Sequence, residues 1–339
     1  MTRPSPARLA ACLAAALLAA APVVAAADCS GPQAAGYRVL HDAAGQPLAV
    51  WYPSGATERD AAYGRGAASA RSRFAPEGAP AACGRLPLLL FSHGFGGCAL
   101  QSLFITEELA RQGYIVVAPD HRDAALCRIE SPPPRARERA PEPSLLEPQQ
   151  WNDRSYIERR DDLRAAVEAV VRDPVLGPAV DAQRIGAIGH SLGGYTALGL
   201  AGAWPSWRDP AVKAVVAMSP FVAPYLSQRA LGGVSVPVMY QGAVFDWGIT
   251  PMLEGPTGAY AQTPAPRYFV KLKGGTHFEW TNLVCASQND TRACLAANGN
   301  AFLIDAYAIE FLDLYLKGRA STLLRSRGAG LDTYRFAAP

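Results

Sequence analysis

The sequence predicts an α/β fold, with a mainly parallel central sheet and helices on both faces. Short, wholly apolar runs such as Leu86–Phe91 and Tyr114–Ala118 have the composition of strands buried on both sides. Segments with helical spacing of apolar residues lie between them, as in Tyr156–Arg172. Strands that alternate with helices favour parallel pairing through right-handed crossovers. No internal repeat interrupts this order, so residues 28–339 are expected to form one domain.

The first 27 residues are expected to stand apart as an export signal. Arg3 and Arg8 flank the start, Leu9–Val24 is apolar and alanine-rich, and Ala25-Ala26-Ala27 supplies a small-residue cleavage site. The apolar run is short for a membrane-spanning helix, so no stable membrane anchor is expected. A secreted or periplasmic location follows as an expectation.

Tyr37–His41 and Leu48–Tyr52 flank Asp42-Ala43-Ala44-Gly45 and predict a β-hairpin. Residues 54–86 are rich in Ala, Gly, Arg and Ser without a period, and are expected to form a loop or insertion. Leu100–Gln112 has helical spacing and stops at Gly113, before the strand Tyr114–Ala118. A second insertion is expected near residues 124–155. Its stretch Arg128–Gln150 holds Pro132, Pro133, Pro134, Pro141, Pro143 and Pro148, and should carry no regular element, forming a solvated loop or a cover over the site. In the helix Tyr156–Arg172, Ile157, Leu163, Ala166, Val167 and Val170 form the inward face, with Asp and Arg outward. The strand Ile185–Ile188 then leads through Gly189 into a helix over Leu192–Ala203. Strands at Ala214–Met218, Val236–Gln241 and Tyr268–Leu272 follow, and an amphipathic helix over Phe302–Leu316 closes the chain.

Composition narrows the function. The chain has 32 basic and 29 acidic residues, and loss of Arg3 and Arg8 with the leader would leave 30 against 29. That near-neutral balance gives no reason to expect nucleic acid as a partner. Without Cys12 the cysteines number six, an even count that favours disulfides in an exported chain. No C-x-x-C pair is present, so a metal site finds no support. Cys285 is expected to pair with Cys294. The other four allow three connectivities, of which Cys98–Cys127 with Cys29–Cys83 is the expected one.

The strongest local signal is Gly189-His190-Ser191-Leu192-Gly193, set between an apolar strand and an alanine-rich helix. In that context G-x-S-x-G describes a tight strand-to-helix turn that lifts the serine hydroxyl above the sheet. A serine hydroxyl needs a base to take its proton. Of five histidines, His41 lies in the hairpin, His93 and His121 end early strands, and His190 should point away from the reacting face. His277, in a loop after the last strand then expected, remains as the base. The acid should follow a strand between serine and base. Asp246 is the first carboxylate there, with Glu254 the alternative.

An oxyanion hole needs backbone N–H groups from two places. Leu192 is the first. Phe91-Ser92-His93-Gly94-Phe95-Gly96-Gly97 should provide the second, from Phe95 with Gly94 the alternative, and His93 should brace the turn. Phe95, Phe221, Trp247, Phe278 and Trp280 are candidate linings of an apolar acyl site, although aromatic core packing explains each equally well.

These residues resemble the branch of α/β-hydrolases that holds platelet-activating-factor acetylhydrolases and dienelactone-hydrolase-like esterases, near bacterial cutinase-like polyester hydrolases. The resemblance rests on Val50-Trp51-Tyr52-Pro53, on the turn Phe91–Gly97, on Ala118-Pro119-Asp120-His121-Arg122-Asp123 and on Gly189–Gly194, and covers roughly residues 37–316. It implies Ser191 as nucleophile, Asp246 as acid, His277 as base and the Phe95 and Leu192 amides as oxyanion donors. It further implies hydrolysis of short acyl esters or lipids, without metal or cofactor.

Overall fold

The chain enters its sheet through the expected hairpin, β1 (Ala34–His41) and β2 (Pro47–Ser54), paired antiparallel. Asp42 closes the turn, its Oδ1 accepting the amides of Ala44 and Gln46 at 2.8 Å each. The computed structural model describes residue 1 and residues 31–64, 70–130 and 142–338. The expected leader, apart from Met1, and Cys29 lie outside the described residues.

Residues 54–86 are not the plain loop the composition suggested. They contain β3 (Arg59–Ala62) and β4 (Arg71–Pro76), antiparallel to each other, with β4 parallel to β1. Exposed polar side chains on such short strands, of which β3 is the edge, hide the apolar alternation that identifies a strand. Phe74 and Ser72 turn inward while Arg71 and Arg73 face water.

The central strands follow the expected order: β5 (Leu86–Ser92), α1 (Leu103–Arg111), β6 (Ile115–Pro119), α2 (Ile157–Arg172), β7 (Val180–His190), α3 (Leu192–Leu198), β8 (Val212–Met218), α4 (Ala223–Gln228) and β9 (Val238–Ala243). Two short helices, α5 (Thr250–Glu254) and α6 (Ala259–Gln262), then precede β10 (Arg267–Leu272), α7 (Thr291–Ala297), α8 (Gly299–Lys317) and β11 (Leu331–Ala337). The described sheet has the order β11-β10-β9-β8-β7-β5-β6-β2-β1-β4-β3. From β6 to β10 every neighbouring pair is parallel, whereas β11 adds an antiparallel edge that the sequence reading did not anticipate.

Alternation along the central strands creates two cores. Leu88 and Leu90 of β5 enter one, with Leu163, Ala166 and Val170 of α2 and Tyr195 of α3. Leu89 and Phe91 enter the other, with Phe104 of α1 and Ile304, Phe311 and Leu312 of α8. A side chain buried on either face makes each strand read as a continuous apolar run. The helix α2 departs from its expected amphipathicity, because Glu158, Arg159 and Asp162 are buried with the apolar stripe. Arg159 is held by a half-buried partner, described below.

The second insertion enters the described residues again at Glu142. It holds one 3₁₀ turn, Pro148–Gln150, where no regular element was expected, and Trp151 anchors it in the core. Trp151 packs edge-on to Tyr195 and at a tilt against Tyr156 and Phe221. The disulfides Cys98–Cys127 and Cys285–Cys294 are formed as expected. None of the helices among the described residues is long and apolar enough to cross a membrane.

Candidate active site

Covalent geometry at the end of β7 explains the glycines around Ser191. A Cβ at Gly189 would run into the Gly193 carbonyl, and one at Gly193 into the Ser92 carbonyl. The two segments therefore approach more closely than any side chain permits. Ser191 itself adopts φ +55°, a left-handed conformation unusual for serine, with its oxygen above the sheet. The strained turn is braced by Ser191 N–H donating to Met218 O at 3.0 Å and by Phe221 N–H donating to Ser191 O at 2.9 Å.

The loops after β9 and β10 bring the expected partners to this serine. His277 Nε2 lies 2.9 Å from Ser191 Oγ, and His277 Nδ1 lies 3.1 Å from Asp246 Oδ1. Asp246 is buried, while His277 remains partly open to solvent. Glu254, the alternative acid, is at the end of α5 and binds Lys271 at 2.8 Å. Three residues separated by long stretches of chain thus meet at the carboxyl ends of parallel strands, the usual position of sites in open α/β sheets.

Asp246 has hydroxyl partners that sequence reading missed. Ser219 Oγ donates to Asp246 Oδ2 at 2.5 Å and lies 2.8 Å from His277 Nδ1. Thr250 Oγ1 donates to the same Oδ2 at 3.1 Å. With a proton on His277 Nδ1, that N–H is shared between the Asp246 carboxylate and the Ser219 oxygen, and Nε2 is left to accept from Ser191. The only trace of Ser219 in the sequence is its place at the carboxyl end of the strand beside that of Ser191.

His190 does not simply turn away from the site. Its Nε2 donates to the His277 carbonyl at 2.8 Å, and its Nδ1 accepts from Gln101 Nε2 at 3.2 Å. Burial, followed by the neighbouring His277, pushes its pKa down to about 3, so the ring is a neutral brace for the loop that carries His277.

The turn after β5 is held as tightly. The Gly94 amide donates to Gln101 Oε1 at 3.0 Å, which removes it as a free donor. The amides of Phe95 and Leu192 carry no hydrogen bond among the described residues. Leu192 begins α3, where backbone N–H groups and the helix dipole favour negative charge. His93 braces the turn as expected: its Nε2 accepts the His121 amide at 2.9 Å, and its Nδ1 donates to Gly94 O at 2.7 Å.

The five aromatic candidates divide. Phe95, Phe278 and Trp247 are exposed, the last to 77%, and Phe245 is a fourth exposed ring on the same loops. Phe221 is half-buried against Trp151. Trp280 is a correction, since it is 0% exposed and lines no surface. Its indole N–H donates to Gln241 Oε1 at 2.8 Å and its ring stacks on His190. A buried indole needs such a partner, and the segment after His277 turns inward to supply it.

The architecture matches a solved structure, the ferulic acid esterase from Streptomyces cinnamoneus, with a TM-score of 0.61 over 92% of this chain and 99% of that one, at 22% identity. The chain has the α/β-hydrolase fold. Residues 68–174 of the chain match the family model described as platelet-activating factor acetylhydrolase, isoform II. Lipase 1 of Moraxella sp. (strain TA144) is 27% identical over 145 residues, 43% of this chain and 40% of that protein. Cutinase 2 of Thermobifida cellulosilytica is 25% identical over 191 residues, 55% of this chain and 58% of that protein. The matches to these two curated relatives span about half of their length. Both the match to the family model and the expected resemblance include the turn Phe91–Gly97 and the stretch Ala118–Asp123.

Proposed function

We propose that this chain is a serine carboxylic-ester hydrolase of the α/β-hydrolase type, exported by way of residues 1–27 and acting as one domain over residues 28–339. The observation that carries this reading is the 2.9 Å approach of His277 Nε2 to Ser191 Oγ on a strained, solvent-accessible turn. His277 takes the Ser191 proton as Oγ attacks the ester carbonyl, and Asp246 stabilises the imidazolium that forms. The Phe95 and Leu192 amides receive the tetrahedral oxyanion. His277 then returns the proton to the leaving alcohol. Water, deprotonated by His277, cleaves the acyl-serine ester, and the proton passes back to Oγ as the carboxylic acid leaves.

The substrates are short-chain acyl esters, including those of lipids, and the chemistry requires no metal or cofactor. The relatives named for lipase, cutinase, esterase and acetylhydrolase activity support this class. The exposed rings of Phe95, Phe245, Trp247 and Phe278 favour a second reading, in which the ester belongs to an insoluble lipid or polyester surface.

Turnover of p-nitrophenyl esters of increasing acyl length, with a polyester film in parallel, separates the two substrates. Wild-type protein should be labelled by a fluorophosphonate, and Ser191→Ala should lose both labelling and turnover with its fold intact. Full turnover by Ser191→Ala would end the proposal.

A further inference from the structure

Arg159 is an unusual residue to find in a core. It lies on α2 with its side chain 0% exposed, and its Nη2 donates to both oxygens of Asp123, at 2.8 and 2.9 Å. Burial alone would raise the Asp123 carboxyl, but the Arg159 guanidinium holds it well below the usual carboxylate range. Removing such a pair from water is costly, and a well-packed apolar pair is often at least as stable. Its partners point to a role other than stability.

Those partners surround a single peptide. Arg159 Nη1 donates to His93 O at 2.7 Å, and Nη2 reaches Gly94 O at 3.5 Å. Asp123 Oδ2 accepts the Gly96 amide at 2.9 Å. The Gly94 carbonyl receives two more donors, His93 Nδ1 at 2.7 Å and the Gly97 amide at 3.0 Å. The Gly94–Phe95 peptide is trans, since the cis bond of the described residues is Ala265–Pro266. In a trans peptide the C=O and the following N–H point in opposite directions. Whatever fixes the Gly94 oxygen therefore aims the Phe95 N–H.

The same pair organises the layer beneath. Arg159 Nη1 also approaches Ser92 Oγ at 3.3 Å, Ser92 Oγ lies 2.9 Å from His121 Nε2, and His121 Nδ1 lies 2.9 Å from Asp162. His93 and His121 are pushed well below their ordinary pKa by burial and by Arg159. A neutral His93 is required, because its Nε2 must accept the His121 amide while Nδ1 donates to Gly94 O.

We propose that Arg159 and Asp123 are positioning residues for the oxyanion, orienting the Gly94–Phe95 peptide so that its N–H faces the scissile carbonyl oxygen. This rests on Ser191 being the nucleophile. Neither residue touches the ester, and both act through the turn they clamp.

Asp123→Asn keeps the shape and an acceptor for Gly96 but removes the charge that anchors Arg159. Arg159→Lys keeps the charge but loses the fork that spans His93 O, Gly94 O and Asp123. Rates are measured per active site titrated with a fluorophosphonate, below the thermal midpoint of each variant. For p-nitrophenyl acetate, kcat should fall ten- to several-hundred-fold with KM within about twofold, bounded by the roughly 10²–10³-fold cost of losing one oxyanion donor outright. The inhibition constant of a trifluoromethyl ketone, whose serine adduct carries an oxyanion, should rise by the same factor, with Arg159→Lys less affected than Arg159→Met. Unchanged kcat per titrated site in the folded variants, or an unchanged ketone constant beside a lower kcat, would overturn the assignment. Wild-type protein that resists the fluorophosphonate would instead overturn the Ser191 reading on which it stands.

Discussion

The hydroxyl of Ser219 lies 2.5 Å from Asp246 Oδ2, on the carboxylate oxygen that His277 does not use. Ser219 reaches this position from the end of β8 with φ +42°, a backbone conformation that serine seldom adopts. Asp246 is thereby fixed from two sides, by a hydroxyl on one oxygen and by the imidazole on the other.

Ser219→Ala should accordingly lower kcat/KM ten- to a hundredfold, the range of a hydrogen bond to a charged group worth about 1.5–3 kcal/mol. The loss should fall mainly in kcat, because the ester does not touch Ser219. Ser219→Thr should recover much of it. Steady-state kinetics on a soluble ester decide the point, and an unchanged kcat for the alanine variant would remove Ser219 from the charge arrangement.

Asp246→Asn should be far more damaging. The amide keeps its place between Ser219, Thr250 and His277 but no longer stabilises an imidazolium. A loss of roughly 10⁴-fold in kcat is expected, as in triads where the acid is neutralised. Circular dichroism should remain that of the wild type. Glu254→Gln is the control, and its turnover should match the wild type, since Glu254 serves Lys271.

Acid should destabilise the fold, with a definite sign. The ordinary pKa of His190 is 6.5, and in the folded protein it is about 3. The unfolded chain takes up a proton that the folded one refuses, so this stability is complete above about pH 6.5 and is lost as pH falls toward 3. Its slope is at most about 1.4 kcal/mol per pH unit. His93 and His121, depressed by burial and Arg159, act in the same direction. Asp305 opposes them, because burial raises its carboxyl, whose two oxygens have no hydrogen-bond partner among the described residues. His190→Gln keeps both hydrogen bonds but cannot titrate, so its urea midpoint should fall less than that of the wild type between pH 7 and 4. Parallel falls would show that His190 titrates normally.

The exposed rings should govern affinity and leave stability alone. Trp247→Ala and Phe278→Ala remove side chains that are 77% and 56% exposed, so thermal midpoints should move little. KM for long or aromatic acyl esters should rise several-fold, with acetate esters nearly unaffected. Equal KM changes across all acyl lengths would place the acyl group elsewhere.

The parts legible in the sequence were those whose chemistry is local. Gly189 and Gly193 are dictated by backbone contact, and the runs in β5, β6, β7 and β8 by burial on both faces. The positions of Ser191, Asp246 and His277 follow from strand ends in chain order. Illegible were residues whose meaning depends on a distant neighbour. Ser219 is an ordinary serine until Asp246 arrives, and Arg159 belongs to an outer charged face until Asp123 neutralises it within the core. Trp280 misled for the same reason, since an aromatic beside His277 could face the ester or Gln241, and only the fold decides. The strands β3 and β4 were missed because β3 buries none of its four residues and β4 turns Ser72 inward beside Phe74, so neither shows an apolar run.

Both described disulfides tether loops. Cys98–Cys127 joins the end of the Phe95 turn to the segment after Asp123, and Cys285–Cys294 closes the loop that follows His277 onto α7. That loop also docks on the start of α1, where Asn282 Oδ1 accepts the Leu103 amide at 2.7 Å and its Nδ2 donates to Leu100 O, just ahead of the helix, at 2.7 Å. Cys98 and Cys294 are themselves buried in the core that holds α1 and α8, so each bond pins a loop of the site directly to that core. A chain matured in a reducing environment should therefore lose reactivity first, as the loops around Phe95 and His277 come loose from their moorings.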